Sequence, residues 1–412
     1  MAKNGVVWAA LLVIIAVTVI VYSNYFTEVK RVPEQYDTEK EKLVCWIYTA
    51  GWSDLLAAYQ EAHSGVELEV RVFPSYKELH NELLAALSIQ TAPQIVELDS
   101  SYGLSELVQS NALAPISGNA LLPEEILPAA AKPFTYGGRL WAVPAGVSVP
   151  VMFYNKDLMK WTGVDNVIGF SSLGELGSKT KAWKTDLTAR NSAGWEQALV
   201  MDDSKPFILL NLWEQTLESG LPGSQRLEQL LRMWRGLVFE SKAMKPLANQ
   251  LASSDFISGK TLFYITNSNM IPWLDHYIAG KFIYDMLPAP LAGGNVLLPH
   301  ISSFGIVAGK KAAGAAEDVV NYLASSGAQA KVLEATGYLP IQTETIQAIS
   351  RNYALNRKYS VLLDAVNTFK SLEPLEDARL RWEQITLTLN NLEMDQEADL
   401  RAYVSQLLPY MP

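Results

Sequence analysis

Trp52 and Tyr76 each stand just after a short apolar run, and Asp99 with Ser100 closes a third such run. Further along come Trp195 in SAGWEQ, the quartet Thr266-Asn267-Ser268-Asn269 after LFYI, and Trp273 in IPWLDHY. Carboxylates, amides and hydroxyls beside flat rings suit one kind of chemistry: hydrogen bonding to hydroxyl groups while a ring covers a weakly polar C–H face. The chain has 11 Trp and 18 Tyr, so most must serve a core, and Trp213 and Trp234, at helical spacing, are of that kind. Rings at strand-to-helix junctions are better placed to meet a ligand.

Reactive constellations are scarce. SDFISGKT (254–261) ends like a phosphate loop, but the motif needs a glycine where Ser254 stands. There is no G-x-S-x-G elbow and no H-E-x-x-H pair, and His63, His80, His276 and His300 lack metal-ligand spacing. Glu124-Glu125 and Asp202-Asp203 are adjacent in sequence. Neighbours of that kind do not face one another on a helix, so a solvated face is the simpler account. The expectation is no metal, no cofactor and no enzyme activity. Cys45 is the sole cysteine, which excludes an internal disulfide and fits a small buried hydrophobe.

The elements that must hold these residues follow a rhythm. LVCWIY (43–48), VELEVRVF (66–73) and QIVEL (94–98) read as strands. Between them SDLLAAYQEAH, behind a Ser53 cap, and YKELHNELLAALSIQ, started by Pro74-Ser75, read as helices; Asp99-Ser100-Ser101 caps YGLSELVQS. Strand and helix alternating in this way predict an α/β fold with a parallel sheet covered on both faces, and ligands bind such sheets beyond the carboxyl ends of the strands. At LWAVP and VPVMFY two extended pieces follow one another with no helix between. That predicts a crossing into a second sheet, with the turn Tyr154-Asn155-Lys156-Asp157 starting its first helix. Later tracts (205–219, 226–241, 315–336) read as helices and TLFYIT (261–266) as a strand.

At 412 residues, 49% of them apolar and 18% charged, the chain is expected to build more than one core. A net charge of −10 without a dense basic run gives no footprint for nucleic acid. Residues 4–27 carry no charge, and Gly5 to Tyr22 is almost continuously apolar. A membrane helix needs about 20 such residues, more than a signal peptide's apolar region. Val21-Tyr22-Ser23 is a mediocre cleavage site, so an uncleaved anchor is favoured over a cleaved signal; either exports the rest. EVKRVPEQYDTEKEK (28–42) is charged and apolar-poor, a tether between membrane and domain.

With these pieces laid out, the chain resembles the family 1 extracellular solute-binding proteins of bacterial ABC importers, the group containing the maltose- and glycerol-3-phosphate-binding proteins. PAGVSVPVMFYNKDLMKWTG resembles the family signature, departing at Gly146 and Trp161. SGKTLFYI, MLPAPLAGG and NYLASSGAQAKVLEATGYLPIQTETI (321–346) resemble three further elements in the family order. The resemblance covers roughly residues 43–400. It implies a type II periplasmic-binding-protein-like fold, with lobe 1 at 43–148 and 301–337 and lobe 2 at 149–300 and 338–412. Extended crossings are expected at Ala145 to Pro150, near Ile301 to Gly305, and at Gly337 to Pro340. It adds Ser148 in the crossing and Tyr338 in TGYLP as ligand groups, and it places Tyr76, Asn267 and Ser268 at positions that touch solute.

The implied function is capture of a carbohydrate or polyol by hinge closure and delivery to a membrane permease. The residues leave open whether the solute carries a phosphate; Arg379 and Arg381 in DARLRWEQ lie where an arginine for it would come. Two readings from other classes stay open as well: a membrane-anchored sensor module, and a carbohydrate-acting hydrolase.

Overall fold

The computed structural model describes residues 40–117, 126–163, 169–189, 195–291, 296–353, 357–370, 374 and 376–412. The apolar segment 5–22, most of the tether 28–42, and Glu124-Glu125 lie outside the described residues. Among those described, no helix is long and apolar enough to cross a membrane. Lys42–Pro412 cluster as one unit, which carries two principal sheets.

In chain order the strands are β1 (Glu41–Ile47), β2 (Val66–Val72), β3 (Ile95–Asp99), β4 (Leu113–Ala114), β5 (Thr135–Tyr136), β6 (Arg139–Leu140), β7 (Ala142–Ser148), β8 (Pro150–Asn155), β9 (Gln197–Met201), β10 (Thr261–Asn267), β11 (Tyr284–Pro288) and β12 (His300–Val307). The first sheet runs β2-β1-β3-β12-β4, with β7 also paired to β12. The second runs β11-β8-β10-β9, and β5 and β6 pair separately.

The first sheet is mixed, where the strand and helix rhythm predicts a parallel one. β1 and β3 are parallel, but β12 is antiparallel to both β3 and β7. The reason is topological. β7 ends at Ser148, Val149 alone separates it from β8, and β8 belongs to the second sheet. A chain that leaves by β7 and comes back to the same sheet re-enters at the end it left, so the returning strand runs the other way. His300, first residue of β12, accordingly pairs with Ser148, last of β7, and Ser302 pairs with Asp99, last of β3. Residues 301–305, expected as an extended crossing, are interior strand residues of the first sheet; the return from the second sheet lies between Pro288 and His300.

The helices follow from side-chain chemistry in some places and packing in others. Ser75 accepts the amide of Glu78 at 3.2 Å and starts Tyr76–Ser88. Asn155 accepts the amides of Asp157 and Leu158, both at 3.0 Å, so the YNKD turn does cap the first helix of the second sheet. The helix Trp52–Ala62 begins before Ser53, with Gly51 at the cap position and no side-chain cap bond. A Cβ on Gly51 would lie 2.0 Å from the carbonyl oxygen of Ala335, so close packing on the helix Ser326–Thr336 fixes this start. The helix after Asp99 begins only at Ser105. Asp99 closes a local turn instead, accepting the amide of Ser101 at 2.7 Å.

Every residue of β7, β8, β10 and β12 is buried. The helices Lys205–Thr216, Gly223–Phe239 and Ala378–Met394 pack on one another with Trp213, Trp234, Leu389 and Leu392 in a shared core beside the second sheet. The helices Trp52–Ala62, Ala313–Leu323 and Ser326–Thr336 pack on one another beside the first.

Candidate functional site

The strand ends that face the crossing hold a connected set of polar side chains. Glu97, in the middle of β3, is fully buried. Its Oε2 accepts the amides of Tyr48 (2.7 Å) and Thr49 (2.9 Å), and its Oε1 accepts Trp52 Nε1 (2.9 Å) and the Ser302 hydroxyl (2.7 Å). Burial pushes its carboxyl above the ordinary range against these donors. Glu97 therefore shapes the loop after β1 and locks the Trp52 ring. That ring stacks on Tyr338 at 5.9 Å and meets Phe304 edge-on at 5.4 Å.

One turn of strand further, Asp99 Oδ2 accepts the Tyr48 hydroxyl at 3.1 Å and lies 2.5 Å from His300 Nε2. The other ring nitrogen, Nδ1, is 3.1 Å from the Ser148 hydroxyl. Burial acts to raise Asp99, but the charge and hydrogen bond of His300 and the Ser101 amide hold it below the ordinary carboxylate range. Burial acts to lower His300, and Asp99, then Glu97 and Asp202, carry it above the ordinary imidazole value instead. Each partner thus favours the charged form of the other against the cost of burial.

The two sheets meet through this set. The Ser268 amide donates to the Val149 carbonyl at 2.9 Å, and the Ser268 hydroxyl accepts the Val149 amide at 3.2 Å. Asn269 Nδ2 donates to the Tyr338 hydroxyl at 3.2 Å, which also lies 3.4 Å from the hydroxyls of Tyr48 and Thr49. Gly337, at φ 74°, gives Tyr338 its approach: a Cβ there would stand 2.7 Å from Pro272 and 2.9 Å from the Asn269 backbone. Asp202, after β9, accepts the hydroxyls of Tyr264 (2.7 Å) and Thr266 (2.5 Å).

Beside this cluster a small gap of about 40 Å³ lies between Ser100 and Ser101 on one side and Phe207, Leu210, Ala378, Arg381 and Trp382 on the other. Two arginines of the helix Ala378–Met394 differ sharply here. Arg379 crosses to Glu106, with Nε at 2.8 Å and Nη2 at 3.2 Å, and also reaches Glu383 at 3.1 Å. Arg381 lines the gap with Nε and Nη1 buried and unbonded. Burial lowers it from the ordinary arginine value, with only the charge of Asp377 acting the other way.

Of the residues singled out in the sequence, Trp52, Asp99, Ser148 and Tyr338 belong to this connected set. Ser100, whose hydroxyl accepts the Ile301 amide at 3.0 Å, joins it at the gap, and Ser268 joins it through Val149. Asn267 closes β10 opposite Pro150 with a buried, unbonded Oδ1. Tyr76 packs its ring on Tyr48 and Tyr102. Trp195 is buried in the core of the second sheet, and Trp273 is a partly exposed ring against Tyr277; neither touches the cluster. The sequence does not single out Tyr48 or Glu97, gives His300 only as lacking metal-ligand spacing, and suggests a solvated face for Asp202, which instead accepts the hydroxyls of Tyr264 and Thr266 in β10. Glu97 leaves a trace, a lone carboxylate inside an apolar run, while His300 has none, its partners being 152 and 201 residues away.

Two α/β lobes joined by extended crossings, with a polar cluster at the junction, define the class of two-lobed solute-binding proteins. Residues 54–355 match the family model for bacterial extracellular solute-binding proteins, and the chain belongs to that family. Its place is extracytoplasmic. No curated protein matches the chain. The fold is similar to the GacH receptor of Streptomyces glaucescens, solved with acarbose (20% identity, 90% of this chain and 97% of that one, TM-score 0.74). It is also similar to an ABC transporter solute-binding protein from Thermotoga lettingae bound with α-D-tagatose (16%, 90% and 99%, 0.75). A third similar structure is UgpB from Mycobacterium tuberculosis with glycerophosphocholine (16%, 90% and 97%, 0.75).

Proposed function

We propose that this protein captures a carbohydrate or polyol at the junction of its lobes, closes over it by a hinge motion, and hands it unchanged to an ABC permease. The observation that carries this reading is the convergence of Asp99, Ser148, Tyr338 and Asn269, groups suited to hydroxyls, around the single-residue link at Val149. Closure couples to binding only through contacts that differ between open and closed forms, and groups from both sheets at one junction supply such contacts. The lobes are taken as 43–148 with 301–337 and 149–300 with 338–412, and the ligand groups as Trp52, Tyr76, Asp99, Ser100, Ser148, Asn267, Ser268 and Tyr338. Trp195 and Trp273 are retained for test as the second lobe's aromatic contacts.

A second reading, that the solute is a phosphorylated polyol, is supported by Arg381. Its guanidinium is partly buried with Nε and Nη1 unbonded, and a phosphate fits that planar donor edge. The apolar stretch 5–22 is proposed as a membrane anchor that raises the concentration of the binder near its permease. Retention on washed membranes tests the anchor; loss of the protein from them rejects it.

The decisive experiment is a thermal-shift screen over sugars, polyols and their phosphates, since a solute that binds the folded form raises its apparent stability. One or more should raise the melting temperature, and replacing Trp52 or Ser148 should remove the rise. A screen without shifts, or a sample that hydrolyses a glycoside, ends the proposal. Co-purification with a membrane kinase in place of a permease would favour a sensor module.

A further inference from the structure

The imidazole of His300 is the one group in the described junction that touches both Asp99 and Ser148. It begins β12, the strand that returns from the second sheet, and sits between the last residue of β3 and the last residue of β7. Its Nε2 is 2.5 Å from Asp99 and its Nδ1 3.1 Å from the Ser148 hydroxyl. Around it lie the carboxylates of Asp99 and Glu97 from β3 and of Asp202 after β9, the Tyr338 ring stacked at 6.3 Å, and Phe207 edge-on at 5.9 Å.

We infer that His300 is a positioning residue for the binding site, and that its protonation decides whether Ser148 offers the solute a hydrogen-bond donor or only an acceptor. This rests on the proposed ligand roles of Asp99 and Ser148. An imidazolium has two N–H donors. With Nε2–H on Asp99 and Nδ1–H on the Ser148 oxygen, the serine's own hydrogen is free for a ligand oxygen. In the neutral ring Nε2–H stays on Asp99, so Nδ1 becomes an acceptor and takes the only hydrogen Ser148 has. Asp99 is held in place in both states: Oδ2 receives Tyr48 and His300, Oδ1 receives the Ser101 amide, and about one of the four acceptor positions of a carboxylate is left over. The structure at the junction barely needs to move for the site to change its preference.

The sign follows from the surroundings. Three carboxylates hold the proton on His300 above the ordinary imidazole value, so the donor form of Ser148 is present below that raised value and is lost as pH rises through it. Solute affinity falls with it as a consequence.

The chain has four histidines, so imidazole-15N labelling of the full-length protein gives four titration curves, and His300→Gln identifies one by its absence. That curve should lie above the ordinary value of about 6.5, drop in Asp99→Asn, and drop less in Ser148→Ala. A His300 curve at or below the ordinary value, or one unmoved by Asp99→Asn, overturns the inference whether or not any solute has been found. In the second arm, glycerophosphocholine and maltose are titrated against tryptophan fluorescence. As pH rises across the His300 titration curve measured in the first arm, the wild-type affinity for the probe that binds should fall about tenfold, and His300→Gln should be flat over the same range. A flat wild-type profile also overturns it. Failure of both probes at every pH counts against the carbohydrate and polyol-phosphate readings and leaves the titration curves to decide the role of His300.

Discussion

Gly146 of β7 lies directly under Tyr338: a Cβ on the glycine would stand 2.6 Å from the tyrosine Cβ and 2.8 Å from its Cγ. The tyrosine has nowhere to retreat, because its ring is stacked between Trp52 at 5.9 Å and His300 at 6.3 Å. Gly146→Ala should cost about 1–3 kcal/mol, the usual range for forcing extra atoms into a packed site. A urea midpoint equal to wild type would contradict this.

Arg381→Met should behave oppositely in the two states of the protein. Removing a partly buried guanidinium whose Nε and Nη1 are unbonded should leave the solute-free protein at least as stable as wild type. The same change should abolish thermal shifts from phosphorylated probes while sparing neutral sugars. A clear loss of stability without ligand would mean the guanidinium has a partner in solution.

Glu106 and Arg379 form a two-pronged pair that spans from the helix after β3 to the helix Ala378–Met394, with side chains 40% and 34% exposed. Arg379 holds the Glu106 carboxyl below its ordinary value. A depressed carboxylate adds stability above its unfolded pKa of about 4.3 and loses it as pH falls through the lower folded value. With this much exposure the amount is about 0.2–1 kcal/mol after screening. Glu106→Gln should remove that amount at neutral pH and almost nothing once the pH is below the depressed folded value, measured by urea unfolding across the range.

Lys205 and Glu393 are almost wholly enclosed, 2.9 Å apart, and Glu393 also receives Trp234 Nε1 at 3.1 Å and the Leu247 amide at 2.9 Å. Lys205→Met leaves the carboxylate without its cation and should cost about 3–5 kcal/mol. Adding Glu393→Gln should recover part of that loss. If the double variant is no better than the single one, packing by the lysine stem outweighs the charge.

Much of the architecture can be read from local pattern. The early strands and helices announce themselves by apolar runs and caps such as Ser75 and Asn155, because both signals act within a few residues. The helix Leu173–Ala189 does not, since LGELGSKTKAWKTDLTA carries two glycines and only a weak apolar stripe. Asp99 is legible because it closes a strand, whereas Ser148 and Tyr338 stand out only through the family resemblance of the segments that carry them. His300 and Asp202 acquire meaning only through register, when β12 inserts between β3 and β7 and β9 aligns with β10. Trp195 shows the converse: a tryptophan beside a strand looks like a ligand platform, yet hydrophobic burial claims the ring.

The order β2-β1-β3-β12-β4 has a consequence for how the molecule comes into being. A strand near the three-hundredth residue fills the middle of a sheet whose other members are made in roughly the first third of the chain. That sheet cannot close during the early part of synthesis, and contacts of such long sequence separation form slowly. A polypeptide exported unfolded would gain from such a delay, and here the half of the body begun first is completed only after the strands of the other half have been made.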